Sequence, residues 1–181
     1  MKNLDKKTIE SFGDEWVYFD QSNLKKKEVY KIFKSYFSIF PFNKISKSSE
    51  GFDMGCGSGR WAQFVAPKVG LLHCIDPSVA IHVAKKNLKK FKNIKFHQKS
   101  LDKNELKPNS QDFGYSLGVL HHVPNTALAM KSCVKLLKPD APFLIYIYYS
   151  FDNRPSWFKF LWLISNSIRL LVYRLPKFLK F

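Results

Sequence analysis

Nine consecutive residues, Asp53-Met54-Gly55-Cys56-Gly57-Ser58-Gly59-Arg60-Trp61, have the types and spacing to hold a nucleotide-like ligand. Glycines at alternate positions let the backbone approach a ligand closely, and a helix starting there offers unpaired N–H groups. Counted from Gly55, the dinucleotide fingerprint G-x-G-x-x-G/A puts its last small residue at Arg60, too bulky for the close helix-to-strand packing required there. A dinucleotide is therefore disfavoured. Asp76 ends the next apolar run, 21 residues beyond Gly55. A carboxylate at that neighbouring strand end can accept hydrogen bonds from both hydroxyls of a ribose. The competing reading makes Asp76 a turn or capping residue before Pro77.

Other chemistry is sparse. His121 and His122 are adjacent, so their side chains diverge, and no third ligand stands at useful spacing; no metal is expected. The three cysteines, Cys56, Cys74 and Cys133, form no C-x-x-C pair and read as reduced, buried thiols, which points to a cytoplasmic protein. The start, Met-Lys-Asn-Leu-Asp-Lys-Lys, has no apolar signal region. The most apolar stretch, 157–173, is interrupted by Lys159, Asn166 and Arg169 and is shorter than the roughly 20 residues a membrane span needs.

Short apolar runs must deliver these residues to one place. Strands are read at 51–54, 71–75, 94–97, 112–117 and 143–149. Between them lie helices at 58–66, stopped by Pro67, at 78–91, and at 126–137, closed by Lys138-Pro139. In the second of these, Ser78 is the expected N-cap, and Val79, Val83, Ala84, Leu88 and Phe91 form an apolar stripe opposite a solvated face of Lys85, Lys86, Lys89 and Lys90. The run 143–149 is nearly continuous aromatic and β-branched sequence, as for a strand covered on both faces. Strands alternating with helices predict an α/β fold with a doubly wound, mostly parallel sheet of Rossmann-like type.

Three segments follow. Residues 1–48 read as a basic helical cap with Leu24, Ile32, Phe33, Tyr36, Phe37 and Phe40 at helical spacing; residues 49–150 form the ligand-binding core; residues 151–181 form an amphipathic, basic helical tail or insertion.

Asp53-x-Gly55-x-Gly57-x-Gly59 resembles motif I of the class I S-adenosylmethionine-dependent methyltransferases, and Asp76 stands where that family places its ribose-binding acid. Ser100-Leu101-Asp102 matches the family's polar position near the adenine, with the register deciding whether Ser100 or Asp102 faces it. The segment 112–124 resembles the fourth-strand motif, in which an apolar strand ends beside the methionine part of the cofactor and a Leu120-His121-His122 loop follows. The resemblance covers 51–149. It implies S-adenosyl-L-methionine as cofactor, held by Asp53, Gly55, Cys56, Gly57, Ser58, Gly59, Asp76, Pro77, Ser100, Leu101, Leu117 and Gly118. Phe12-Gly13-x-Glu15-Trp16 is similar to an N-terminal cap of some small-molecule members, where an aromatic residue covers the cofactor; a core aromatic is the alternative for Trp16. Three roles fit His121: lining the cofactor pocket, acting as the base for a hydroxyl or phenol acceptor with Tyr148 a weaker candidate, or holding the loop.

The expected activity is methyl transfer to a small molecule, a lipid-like one included. The excess of 30 Lys and Arg over 14 Asp and Glu, a formal charge of +16, keeps an RNA methyltransferase as an alternative. Against it, Ser116-Leu117-Gly118-Val119 stands where base-modifying members carry an Asn/Asp-Pro-Pro-aromatic motif or a Pro-Cys nucleophile. The family's last two strands have no counterpart before Phe181, so a shortened protein, a fragment, or a cofactor-binding protein without catalysis is a third reading. Residues 156–181, with Trp157, Phe158, Phe160 and Leu161 among cations, are expected to form a substrate lid or to touch a membrane surface.

Overall fold

The computed structural model of the chain describes residues 3, 5–18, 25–148 and 154–174. Leu24, Tyr149 and residues 151–153, to which the sequence assigns helix, strand and turn, lie outside the described residues. The chain divides into two units, Met1–Ile147 and Tyr148–Phe181.

The first unit opens with helices α1 (Lys6–Tyr18) and α2 (Lys26–Tyr36). Then come β1 (Glu50–Met54), α3 (Ala62–Val65), β2 (Leu71–Ile75), α4 (Ala80–Asn87), β3 (Ile94–His97), β4 (Phe113–Leu117), α5 (Thr126–Val134) and β5 (Phe143–Tyr146). The five strands form one sheet in the order β3-β2-β1-β4-β5, with every pairing parallel. This is the doubly wound α/β fold the alternation predicts. Strand order reverses between β1 and β4, and ligands of such sheets bind outside the carboxyl ends of the strands at that point.

Alternating side chains divide the core between the two faces. Cys56, Leu72, Cys74, Phe113, Tyr115 and Leu144 pack with Phe33 of α2, with Phe37 just beyond it, and with Ala62, Ile81 and Ala84. Phe52, Met54 and Ile75 pack on the other face with Ala129 and Cys133 of α5. Between the central strands, Gly51 pairs with Phe113 and Phe52 with Gly114. A Cβ on Gly51 would stand 2.3 Å from the Phe113 ring, and one on Gly114 2.3 Å from the Phe52 ring, so each ring lies directly over the glycine of the neighbouring strand.

Four expectations need correction, one being the helix read at 126–137, which ends at Val134 while Leu137 bridges to Gln111. The helix read at 58–66 is only Ala62–Val65, followed by a 3₁₀ turn at Ala66–Lys68 that includes Pro67. Gly57 and Gly59 have φ of +51° and +78°, incompatible with a right-handed helix, so the loop runs on to Trp61. The helix read at 78–91 ends at Asn87, and Val79 is exposed rather than part of a buried stripe, although Ala80 N–H does donate to Ser78 Oγ at 3.2 Å. The run 143–149 is strand only over Phe143–Tyr146, and Leu144 alone is buried there, so β5 is not covered on both faces. It is an edge strand, paired with β4 alone among the described residues.

The second unit contains α6 (Ser156–Arg174). No helix among the described residues is long and apolar enough to cross a membrane.

Candidate functional site

The loop after β1 is built by its glycines. Gly55 turns the chain at φ +78°, and its N–H and that of Cys56 donate to the Ile75 carbonyl at 2.7 and 3.2 Å. A Cβ on Gly55 would collide with Val119 at 2.5 Å, so β1's loop and β4's loop touch at the switch point. Gly59 packs as closely on Leu88, and buried Ser58 gives its carbonyl to Asn87 Nδ2 at 3.1 Å.

Asp76 ties this loop to β2. Its Oδ2 accepts the Gly57 N–H at 2.9 Å, while Oδ1 accepts the Ser78 N–H at 2.9 Å and the Ser78 hydroxyl at 2.6 Å. The bonds to Ser78 make an Asx turn, so the turn reading of Asp76 holds together with its reach to the glycine loop. A carboxylate oxygen has two acceptor positions, and Oδ2 uses one. Pro77 follows, half-buried.

Asp53 is fully enclosed on the same face of the sheet, in register with Tyr115 and Cys74. Burial pushes its carboxyl up to about 8, against the pull of the adjacent Tyr115 hydroxyl, and the Asp76 carboxylate adds to the rise. Neither Asp53 Oδ2 nor the Tyr115 hydroxyl has a well-formed hydrogen bond. Tyr115 was not foreseen, since an aromatic residue within an apolar strand carries no signal of a polar role.

At the end of β4, Gly118 has φ +75°, donates to the Tyr146 carbonyl at 2.8 Å, and has open space where a side chain would project. Leu117 ends the strand beside it, in register with Tyr146. His121 and His122 follow in a 3₁₀ turn, and their side chains do not diverge as adjacency suggested: the ring centroids stand 4.0 Å apart. Burial first, then the charge of His122, holds His121 below the ordinary histidine value, so its imidazole is neutral at pH 7.

Helix α1 crosses these loops. The Trp16 indole lies 3.2 Å from where a Cβ of Gly57 would stand, Gly13 packs on Ser78 and Val79, and the Phe12 ring is 4.7 Å from that of His122. Ahead of the helix, Asn3 and Asn125 exchange two hydrogen bonds, Asn3 Nδ2 to the Asn125 carbonyl at 2.8 Å and the Asn125 N–H to Asn3 Oδ1 at 2.7 Å. The Asn3–Asn125 tie had no sequence signal.

The third strand's loop is less engaged. The Ser100 hydroxyl donates to Asp102 Oδ1 at 2.6 Å, Asp102 is exposed, and Leu101 packs against the core under α5. Tyr148 falls in the second unit.

Residues 52–145, just over half of the chain, match the Methyltransferase domain family. The chain is a member of that family. The matched residues carry the five-stranded parallel sheet described above. Solved structures that share the fold include the following three. A protein of Methanococcus maripaludis assigned as an S-adenosyl-L-methionine-dependent methyltransferase superimposes with a TM-score of 0.63 at 16% identity, over 94% of this chain and 85% of its own. A Galdieria sulphuraria protein assigned as a sarcosine dimethylglycine methyltransferase gives 0.63 at 19% identity, over 75% of this chain and 59% of its own. The YcgJ protein of Bacillus subtilis gives 0.58 at 20% identity, over 70% and 52%. The methyltransferase chain thus spans between half and three fifths of the length of the last two. No curated protein matches it by sequence.

Family membership implies S-adenosylmethionine, and the residues present fit it. Open space over Gly118 and a spare acceptor position on Asp76 Oδ2 flank the point where strand order reverses.

Proposed function

We propose that this methyltransferase binds S-adenosyl-L-methionine across the carboxyl ends of β1, β2 and β4 and methylates a small-molecule acceptor enclosed beneath α1. The observation that carries the reading is the clasp of Gly57 by Asp76 at 2.9 Å, with Trp16 lying on the same glycine. Asp76 receives the ribose hydroxyls in this reading, Gly55 to Gly59 accommodate the rest of the nucleoside, and Leu117 and Gly118 line the methionine end. The bound cofactor supplies a methyl group on a positively charged sulfur. Displacement there is in-line and removes charge, so the protein gains most by aligning the acceptor and excluding water.

Helix α1 supports a small acceptor, because it sets Trp16 on Gly57 and Phe12 against His122, over loops that a polymer would have to reach. Tyr36, Trp61 and Tyr146 gather nearby, with the Tyr36 ring 5.4 Å from Trp61 and 4.8 Å from Tyr146, and the Arg60 guanidinium 4.5 Å from the Trp61 ring. These groups give the acceptor planar apolar walls beside one cation. Neutral His121 accepts a proton from a hydroxyl or phenol acceptor.

Calorimetric titration with S-adenosylhomocysteine tests the proposal: one saturable site supports it, and no binding by a folded chain sinks it. Trp16→Ala should weaken that binding about tenfold by uncovering the apolar face of the loop. His121→Ala should leave S-adenosylhomocysteine binding intact while lowering methyl transfer to the acceptor at least about a hundredfold, read as radiolabel moved from S-adenosylmethionine. Full turnover by that variant would reduce His121 to a pocket wall. The +16 charge favours RNA as the competing acceptor; RNA binding that falls steeply with salt would revive it.

A further inference from the structure

We propose that α6 lies in the surface of an anionic lipid bilayer. Successive helical residues advance about 100° around the axis. On that spacing Trp157, Phe160, Leu161, Ile164, Ile168, Leu171 and Val172 share one continuous arc of about 120°, and all seven are exposed. Lys159, Asn166 and Arg169 lie on the rest of the circumference, among Phe158, Trp162, Leu163 and Leu170. No charged residue enters the apolar arc, and cations confined to the other side describe a helix that rests in an interface with its axis in the plane.

Two further observations fix the partner's chemistry. From Arg154 to Phe181 the sequence holds six cations, Arg154, Lys159, Arg169, Arg174, Lys177 and Lys180, and no Asp or Glu. Such a segment complements phosphate headgroups and gains with each Lys or Arg near an anionic surface. Two of the chain's four tryptophans, Trp157 and Trp162, stand in this one helix, and tryptophan favours the headgroup level, where its ring is apolar and its N–H stays wet. The helix does not cross the bilayer, because it is not long and apolar enough to do so.

The full chain should co-sediment with phosphatidylcholine vesicles containing phosphatidylglycerol at least about tenfold more tightly than with phosphatidylcholine alone. Leu161→Glu with Ile164→Glu should abolish binding to both. Lys159→Glu with Arg169→Glu should remove the preference for phosphatidylglycerol. All four positions are exposed, so the variants keep the parent's circular dichroism. Failure of the parent to sediment with anionic vesicles overturns the proposal, as does sedimentation indifferent to the Leu161 and Ile164 pair. It is equally overturned if the parent runs as a dimer that this pair dissociates while lipid is ignored, which would assign the apolar arc to a second copy of the chain.

Discussion

Asp76→Ala should raise the dissociation constant for S-adenosylhomocysteine at least about a hundredfold, roughly 2.7 kcal/mol. Two losses combine. The ribose hydroxyls lose a charged acceptor, and hydrogen bonds to charged groups contribute about 1.5–3 kcal/mol each. The glycine loop also loses its anchor, because Gly57 N–H, Ser78 N–H and the Ser78 hydroxyl all end on this one carboxylate. The two losses can be separated with Ser78→Ala, which removes one bond to Oδ1 and leaves the Oδ2 side intact; its effect should be several-fold smaller. Calorimetry on both variants, with melting temperatures recorded beside it, reads the difference. Unchanged affinity in Asp76→Ala would confine that residue to the turn and displace the cofactor from the ends of β1 and β2.

Asp53 makes stability depend on pH in the direction opposite to most aspartates. In the unfolded chain its carboxyl ionises near the ordinary 3.8, whereas in the fold it keeps its proton up to about 8. Between those values unfolding releases a proton that the folded chain retains. The stability contributed by Asp53 is therefore whole below about pH 4 and is lost as the pH rises toward 8, by up to roughly tenfold in the folding equilibrium per pH unit. Asp53→Asn keeps the shape and cannot ionise. Its advantage over the parent should be about tenfold at pH 5 and grow to the order of several thousandfold in the folded-to-unfolded ratio at pH 8. Urea unfolding of both proteins without cofactor, across that range, measures the difference, in which contributions from other groups such as the Glu50–His73–His97 chain cancel. Parallel profiles would mean that Asp53 ionises in the fold as it does in water.

The sheet was legible because each strand is a short apolar run bounded by Gly, Pro or polar residues, and β1 to β4 begin within one residue of the positions read for them. What misled was context. A glycine in a loop and a glycine opening a helix look alike in sequence, so the left-handed Gly57 and Gly59 delayed α3 beyond its reading. Apolar composition along 143–149 does not show whether both faces are covered, since that depends on which elements pack on them. At the site, Gly55, Gly57 and Asp76 were picked out by spacing, and the fold brings Gly57 onto Asp76. Trp16 was reached through resemblance alone. The enclosure of Asp53 beside Tyr115, and the Asn3–Asn125 tie, arise from strand register and from contacts between residues distant in sequence, which periodicity does not encode.

The reciprocal seating of Phe52 over Gly114 and Phe113 over Gly51 bears on how the chain finds its sheet. β1 and β4 are some sixty residues apart, so their pairing is a slow, non-local event during which a wrong alignment is the main hazard. A slip of one residue would reverse which face each side chain takes and set the two rings against each other. Two glycines placed opposite two phenylalanines thus act as a lock that accepts a single alignment. It holds at the one seam where the loops that build the site must meet.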